Sequence, residues 1–212
     1  MTTRRLETAH GPALAHLHLV TEPAAALVLG HGAGGSVAAR DLLAVTAVAR
    51  EVAVSVALVE QPYRVAGRRS PAPAHQLDAA WIAAVEQLRS AEVAGLPLLV
   101  GGRSAGARVA CRTAAATRAA AVLCLAFPLV PPPPRSGGPP KTRQGELDAV
   151  GVPTLVVQGA RDRFGQPSAA PDRRVAVVAG DHRLTTDLEA VAEAVRVWLA
   201  ELLGGRLGVS GA

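Results

Sequence analysis

Short apolar runs alternate with longer stretches of helical spacing along most of the chain, and this alternation restricts the possible folds more than any other feature. The apolar runs are Ala26–Leu29, Val52–Val59, Pro97–Val100, Val122–Phe127, Thr154–Val157 and Val175–Val178. Unbroken apolar strands separated by helices are typical of a mainly parallel sheet that is covered on both faces. We therefore predict an α/β fold, a three-layer α/β/α sandwich around a mostly parallel sheet of about six or seven strands.

Four segments of helical spacing separate or follow these runs: residues 37–50, 75–92, 105–117 and 186–203. In the second of them, apolar residues recur at every third or fourth position, as one buried face of a helix requires. Leu17–Val20 is a candidate edge strand near the N-terminus. The 212 residues suit a single domain over 1–212. We expect its core to extend from about 14 to 203 and a flexible C-terminal tail to occupy 204–212.

The charge and hydropathy of the chain argue against several classes of partner. The formal net charge is +5, but the arginines are scattered, and no basic helix or basic stripe with interleaved aromatic residues is present. We therefore expect neither nucleic acid nor a membrane as a partner. No apolar run reaches the roughly 18 residues of a membrane span, and polar residues interrupt the N-terminus before an apolar signal segment forms. We expect a cytoplasmic protein in which Cys111 and Cys124 are buried thiols rather than a disulfide.

The segment Gly102-Arg-Ser-Ala-Gly106 has the pattern G-x-S-x-G and lies directly between an apolar strand and a helix. A nucleophilic serine in this context stands on a sharp strand-to-helix turn with a strained backbone. The two glycines lack a β-carbon, which lets strand and helix approach each other around Ser104. Ser104 is therefore the candidate nucleophile. The alternative is a glycine-rich turn with an ordinary serine that caps the helix.

A serine hydroxyl needs a base to take its proton, and in this type of fold an acid and then a histidine follow the serine along the chain. Asp162 and His182 meet that order, and each lies just after an apolar strand. We assign His182 as the general base and Asp162 as the acid that orients it. Three other aspartates are alternatives for the acid: Asp181, Asp172 and Asp187.

An oxyanion hole requires two N–H donors that point at the developing negative charge. The backbone N–H of Ala105, next to the nucleophile, is the first candidate. The second lies in the small-residue loop after the first strand, with Ala33 preferred and Gly34 as the alternative. A phosphate-binding loop is the competing interpretation, but the sequence lacks the glycine patterns of such loops. We interpret His31 as a structural residue that fixes this loop.

Pro131–Gln144 is too rich in proline and glycine for a helix or strand, so we predict a loop. The loop begins just after the end of a predicted strand, so it either covers a site there or simply connects elements at the surface. Arg103 and this loop are candidate substrate contacts, with plain surface placement as the alternative. His16 and His18 alternate near the N-terminus, but two histidines without a third ligand make a poor metal site. We predict no metal and no cofactor.

These motifs resemble those of the α/β-hydrolase superfamily. The matching segments span from about 27 to 200 and comprise Leu29–Gly35, Glu60–Tyr63, Gly67–Arg69, Gly101–Gly106, Gln158–Gly165 and Gly180–His182. More narrowly, the chain is similar to compact bacterial hydrolases of the KANL3/Tex30-like group, which are related to dienelactone hydrolases. The resemblance implies a sheet without a separate cap domain, ester or thioester hydrolysis, and a triad of Ser104, Asp162 and His182.

Three functions are compatible with these residues. The first is a serine hydrolase that cleaves a small ester or thioester through an acyl-enzyme intermediate. The second is a non-catalytic scaffold or binding protein on the same fold, although a complete set of three reactive residues argues against it. The third is an acyltransferase that uses the same triad and an acceptor other than water. A small-molecule acyl compound is the expected partner of the first and third functions, and the oligomeric state is left open.

Overall fold

A computed structural model describes residues 2–131, 138 and 141–206, and eight strands form its central sheet. The strands are β1 (Thr2–Leu6), β2 (Ala13–His18), β3 (Ala25–Gly30), β4 (Val54–Glu60), β5 (Leu98–Arg103), β6 (Ala121–Leu125), β7 (Thr154–Gly159) and β8 (Arg173–Val178). The helices are α1 (Arg40–Glu51), α2 (Pro62–Val65), α3 (Ala74–Arg89), α4 (Ala105–Thr113), α5 (Gln144–Asp148) and α6 (Leu188–Glu201), and a π-helical turn (Leu202–Arg206) extends α6.

The strands lie in the order β1-β2-β4-β3-β5-β6-β7-β8 across the sheet. All pairings from β4 to β8 are parallel, whereas β1 and β2 form an antiparallel edge. The α/β architecture and the mostly parallel sheet are thus confirmed. The sheet has eight strands rather than six or seven, because the N-terminal edge holds a strand that the apolar pattern does not reveal.

The N-terminal edge differs from the prediction in its bounds. Strand β1 has the sequence TTRRL, in which only Leu6 is buried, so it lacks a recognisable hydrophobic pattern. Strand β2 ends at His18 instead of covering Leu17–Val20, and its alternate residues from Ala13 onward are buried. This period of two is typical of a strand that buries one face. The core therefore begins at Leu6 rather than near residue 14.

Helices cover both faces of the sheet and divide the core into two layers. One layer packs α3 and α4 against the sheet, with Trp81 and Leu88 fully buried. The other packs α1 and α6 against the opposite face. Cys111 of α4 and Cys124 of β6 are buried free thiols with their sulfur atoms 3.4 Å apart. Among the described residues, no helix is long and apolar enough to cross a bilayer.

The strand order reverses at β3, which has β4 on one side and β5 on the other. The loop after β3 and the turn after β5 therefore flank a crevice at the carboxyl ends of the strands, where ligands bind in sheets of this type. The backbones come very close at this point. A Cβ on Gly102 would lie 2.6 Å from the carbonyl oxygen of Gly30, and one on Gly106 would lie 2.5 Å from it. Only glycine at both positions permits this approach.

Two predicted segments fall largely outside the described residues. Of the predicted loop 131–144, residues 132–137, 139 and 140 lie outside them, and Gln144 is the first residue of α5 rather than the last of a loop. Of the predicted tail 204–212, residues 207–212 lie outside them. Residues 204–206 belong to the π-helical turn, and the flexibility of the tail stays a prediction.

The close approach at Gly30 yields a stability prediction. We expect Gly102→Ala to lower the free energy of unfolding by about 1–3 kcal/mol, because the new methyl group meets backbone atoms that cannot move aside. Gly151→Ala is the matched control, since a Cβ there has nothing within 4 Å. Urea unfolding of both variants and the wild type measures the difference. Equal stabilities of the two variants would contradict the close approach of the Gly102 backbone to the carbonyl of Gly30.

Candidate active site

Ser104 occupies the turn between the last residue of β5 and the first residue of α4. Its backbone has φ 51° and ψ −107°, a left-handed conformation that residues other than glycine rarely adopt. Such strain persists only where the surrounding structure enforces it, and it is concentrated at functional sites. The crowding of Gly102 and Gly106 against Gly30 supplies that constraint here. The hydroxyl of Ser104 is thereby held at the carboxyl end of the sheet.

The structure brings the three predicted reactive side chains together. Nε2 of His182 lies 2.9 Å from Oγ of Ser104. Nδ1 of the same ring lies 2.8 Å from Oδ2 of Asp162, whose side chain is completely buried. Ser104, Asp162 and His182 follow β5, β7 and β8 respectively, and because these strands of one sheet are parallel, all three residues lie at the carboxyl ends of the strands. The arrangement is a continuous hydrogen-bonded path from hydroxyl to imidazole to carboxylate.

The surroundings of Asp162 fix its carboxylate and thereby the histidine tautomer. The backbone N–H of Phe164 donates to Oδ1 at 2.9 Å, and Nε2 of Gln158 donates to Oδ2 at 2.9 Å. A carboxylate in contact with Nδ1 favours the tautomer that carries its proton there, which leaves Nε2 to accept from Ser104. The Phe164 ring packs edge-on against the imidazole, with the ring centroids 4.5 Å apart.

The alternative acids are engaged elsewhere. Asp181 is exposed, and its Oδ1 accepts from the backbone N–H of Arg183. Asp187 caps α6 by accepting from the N–H of Ala190. Asp172 directly precedes β8 and therefore lies at the amino end of the strands, away from Ser104. Of these four aspartates, Asp162 is the one that the structure places against Nδ1 of His182.

The two preferred oxyanion donors line a cavity of about 310 Å³ together with Ser104. Ala105 is the first residue of α4, so its N–H has no partner within the helix. The carbonyl of Gly32 accepts from Nδ1 of His31 at 2.8 Å and from the N–H of Gly35 at 3.1 Å. Because a trans peptide directs its N–H opposite to its carbonyl, these two bonds fix the direction of the Ala33 N–H. The alternative donor, Gly34, is not among the lining residues.

His31 has the structural role that the sequence suggested. Its Nε2 accepts from the backbone N–H of Gln61 at 3.1 Å, so the ring joins the loop after β3 to the end of β4. Burial lowers the pKa of His31, which favours the neutral ring that these two hydrogen bonds require. The Tyr63 hydroxyl donates to the carbonyl of Ala33 at 2.6 Å and fixes the next peptide of the same loop.

Arg103 is a site residue whose contacts the sequence did not reveal. Its Nη2 donates to the backbone carbonyl of His182 at 2.9 Å. Its Nε lies 2.9 Å from Oδ2 of Asp41, an ion-pair contact without the alignment of a hydrogen bond. Asp41 is only 1% exposed, and burial raises its pKa although the Arg103 charge opposes that shift. The guanidinium also packs against Gly32, where a Cβ would lie 2.8 Å from Nη1. Arg103 thus joins α1, the loop after β3 and the histidine loop.

The described residues also bear on metal binding. Among them, no group of three or more His, Cys, Asp or Glu side chains is arranged to hold a metal ion. His16 and His18 both lie on β2, and Nε2 of His16 is 3.8 Å from a carboxylate oxygen of Glu60.

A mostly parallel sheet that presents a strained serine at a strand-to-helix turn, with histidine and aspartate on later strand ends, defines the α/β-hydrolase class. The chain belongs to this family, because the family model described as an alpha/beta hydrolase domain matches residues 23–190. This family membership agrees with the resemblance seen in the motifs. The narrower KANL3/Tex30-like assignment stays a prediction.

Solved structures of other hydrolases share this fold. Est1E from Butyrivibrio proteoclasticus superimposes with a TM-score of 0.77 at 16% identity, over 95% of this chain and 99% of that one. A dienelactone hydrolase from Anabaena variabilis gives 0.73 at 17% identity, over 94% and 96% of the two chains. A serine hydrolase without a lid from Xanthomonas campestris gives 0.69 at 19% identity, over 93% and 94%. Among proteins with curated descriptions, none matches this sequence.

The Arg103–Asp41 contact yields a second stability prediction. We expect Arg103→Met to lower the free energy of unfolding by roughly 3 kcal/mol, because it leaves the Asp41 carboxylate buried without a cation. Arg196→Met removes an arginine of the same charge from exposed ion pairs with Glu51 and Glu193 and should have little effect. Chemical denaturation of the two variants provides the comparison. A loss no larger for Arg103→Met than for Arg196→Met would show that the buried pair does not stabilise the fold.

Proposed function

We propose that this protein is a serine hydrolase that cleaves small esters or thioesters through an acyl-enzyme on Ser104. The observation that carries the proposal is the hydrogen-bonded path, 2.9 Å from Ser104 Oγ to His182 Nε2 and 2.8 Å from His182 Nδ1 to Asp162 Oδ2. These distances allow proton transfer without rearrangement. Family membership and the esterase and hydrolase neighbours support hydrolase chemistry of this kind.

The first half-reaction forms the acyl-enzyme. Oγ of Ser104 attacks the carbonyl carbon while its proton passes to Nε2 of His182. The carbonyl oxygen, on which negative charge develops, accepts hydrogen bonds from the N–H groups of Ala105 and Ala33. The buried Asp162 carboxylate stabilises the imidazolium. Collapse of the tetrahedral intermediate breaks the ester or thioester bond, and His182 returns the proton to the leaving oxygen or sulfur.

The second half-reaction releases the acid. Water takes the position of the leaving group, and Nε2 of His182 removes a proton from it as it attacks the acyl carbon. The same two N–H groups stabilise the second tetrahedral intermediate, and its collapse expels Oγ of Ser104 with the proton that His182 holds. The Phe164 ring packs against the imidazole throughout and limits its rotation away from Ser104. One histidine thus serves as base and then as acid in each half.

Covalent labelling tests the role of Ser104. We expect a fluorophosphonate probe to modify the wild-type protein once, at Ser104, because Nε2 of His182 activates this hydroxyl. Intact-mass measurement and peptide mapping identify the modified residue. Ser104→Ala should abolish labelling, whereas Ser90→Ala, which removes an exposed hydroxyl from the end of α3, should retain it. Labelling that persists in Ser104→Ala, or an unlabelled wild type, contradicts the proposal.

A pair of aspartate variants tests the assignment of the acid. We expect Asp162→Asn to lower kcat for a p-nitrophenyl ester by roughly 10³–10⁴-fold, because the amide no longer favours the histidine tautomer with its proton on Nδ1. Asp181→Asn makes the same substitution beside the histidine and should leave kcat unchanged, since Asp181 contacts a backbone N–H instead. A similar loss in both variants would point to a general disturbance of the loop.

A further inference from the structure

The cavity beside Ser104 has an unusual lining for a small acyl pocket. Three arginines, Arg108, Arg112 and Arg143, line its volume of about 310 Å³ together with apolar residues from five segments of the chain. None of the described residues that line it is acidic. A cationic wall next to a nucleophile has a direct consequence for substrate choice, because it raises the local concentration of anions and repels cations.

Two of the three guanidinium groups are neutralised by carboxylates that do not line the cavity. Arg108 makes a two-pronged contact with Glu146, with nitrogen–oxygen distances of 2.8 and 2.5 Å. Arg112 makes a similar contact with Asp78, at 2.8 and 2.6 Å, and also reaches Glu146 at 3.5 Å. Paired in this way, these arginines serve mainly as structural links between α3, α4 and α5.

Arg143 differs from both because it has no carboxylate partner. Its Nη1 donates to the backbone carbonyl of Pro128 at 2.9 Å, and the backbone N–H of Arg143 donates to the carbonyl of Leu129 at 2.8 Å. These bonds hold the side chain against the cavity but do not balance its charge. Among the described residues no carboxylate lies within ion-pair distance of it, and the remaining segments of the chain contain no Asp or Glu.

The local field around Arg143 is therefore positive. Burial lowers the pKa of Arg143, and the charges of Arg108 and Arg112 act in the same direction, while Glu146 opposes them only in part. A guanidinium remains protonated in such surroundings, so the three arginines carry one positive charge more than the two carboxylates that pair with them, Glu146 and Asp78. Its remaining N–H donors form a planar fork that matches a carboxylate in shape and charge.

The neighbouring surface extends this positive region. Arg68 and Arg69, both exposed, line an adjoining cavity of about 470 Å³. Pro71 and Ala72 line both cavities, so the two spaces are adjacent. Arg68 and Arg69 therefore add positive charge to the surface beside the cavity. Long-range attraction of this kind favours anionic substrates and weakens with salt.

We propose that the substrates of this protein are esters or thioesters that bear a carboxylate on the acyl or leaving group, and that Arg143 binds this carboxylate. The inference rests on the proposed function, since it concerns the same nucleophile. The site favours a substrate with one negative charge, because only the guanidinium of Arg143 lacks a carboxylate partner. Arg143 acts on specificity rather than on the chemistry at Ser104.

The test compares two esters with six-carbon acyl groups, mono-p-nitrophenyl adipate and p-nitrophenyl hexanoate, which differ in a terminal carboxylate. We expect Arg143→Gln to lower the ratio of kcat/KM for adipate to that for hexanoate by about tenfold, as for loss of a hydrogen bond to a charged group. Arg143→Lys should restore part of the ratio. Because both esters report on the same protein sample, a partly unfolded variant does not distort the ratio.

Arg50→Gln is the matched control for net charge. Arg50 lies at the end of α1 that leads into β4, at the amino ends of the strands. Its substitution should therefore leave the ratio of the two kcat/KM values unchanged. If both esters are cleaved at Ser104 and Arg143→Gln leaves the ratio at its wild-type value, the carboxylate inference is wrong while the proposed function stands. If neither ester is cleaved and Ser104 resists the fluorophosphonate, both are wrong.

Discussion

The close packing of three glycines at the centre of the sheet is the constraint on which the rest of the site depends. Gly102 and Gly106 lie against the carbonyl of Gly30 so tightly that neither tolerates a β-carbon. This contact forces the chain between them into a sharp turn and holds Ser104 at φ 51°. The same contact brings the loop after β3 beside the start of α4. The candidate nucleophile and the candidate oxyanion donors thus both depend on this one close contact between backbones.

The sequence was sufficient to predict the parts of the fold and site that depend on local patterns. Apolar runs revealed six of the strands. Strands β3 to β7 are buried on both faces and therefore continuously hydrophobic, whereas β8 is an apolar edge strand that is only partly buried. The glycine spacing around Ser104 and the positions of Asp162 and His182 after strands predicted their convergence at one edge. Strand β1 was missed because TTRRL buries only Leu6, and its place in the sheet comes from pairing with β2.

The arginines show what the sequence could not provide. Arg103, Arg143 and Arg196 are equivalent in a sequence, yet one is tied to a buried carboxylate, one lines the cavity unpaired and one forms an exposed ion pair. These differences arise from tertiary contacts between segments that are distant along the chain, as with Arg103 and Asp41. Such contacts leave no periodic signal in the sequence. The sequence marked Arg103 and the loop 131–144, which contains Arg143, as candidate substrate contacts, but the contact of Arg103 with the His182 loop and the unpaired position of Arg143 in the cavity emerged only from the structure.

The central claim is that Ser104, His182 and two backbone N–H groups surround one reacting carbonyl. A crystal structure of the protein after reaction with a phosphonate inhibitor tests it most directly, because the bound phosphorus has the tetrahedral geometry of the intermediate. The account predicts a bond from Ser104 Oγ to phosphorus, with the phosphonyl oxygen about 2.7–3.1 Å from the nitrogens of Ala33 and Ala105. An adduct whose oxygen faces solvent, with the imidazole of His182 turned away from Ser104, would contradict it.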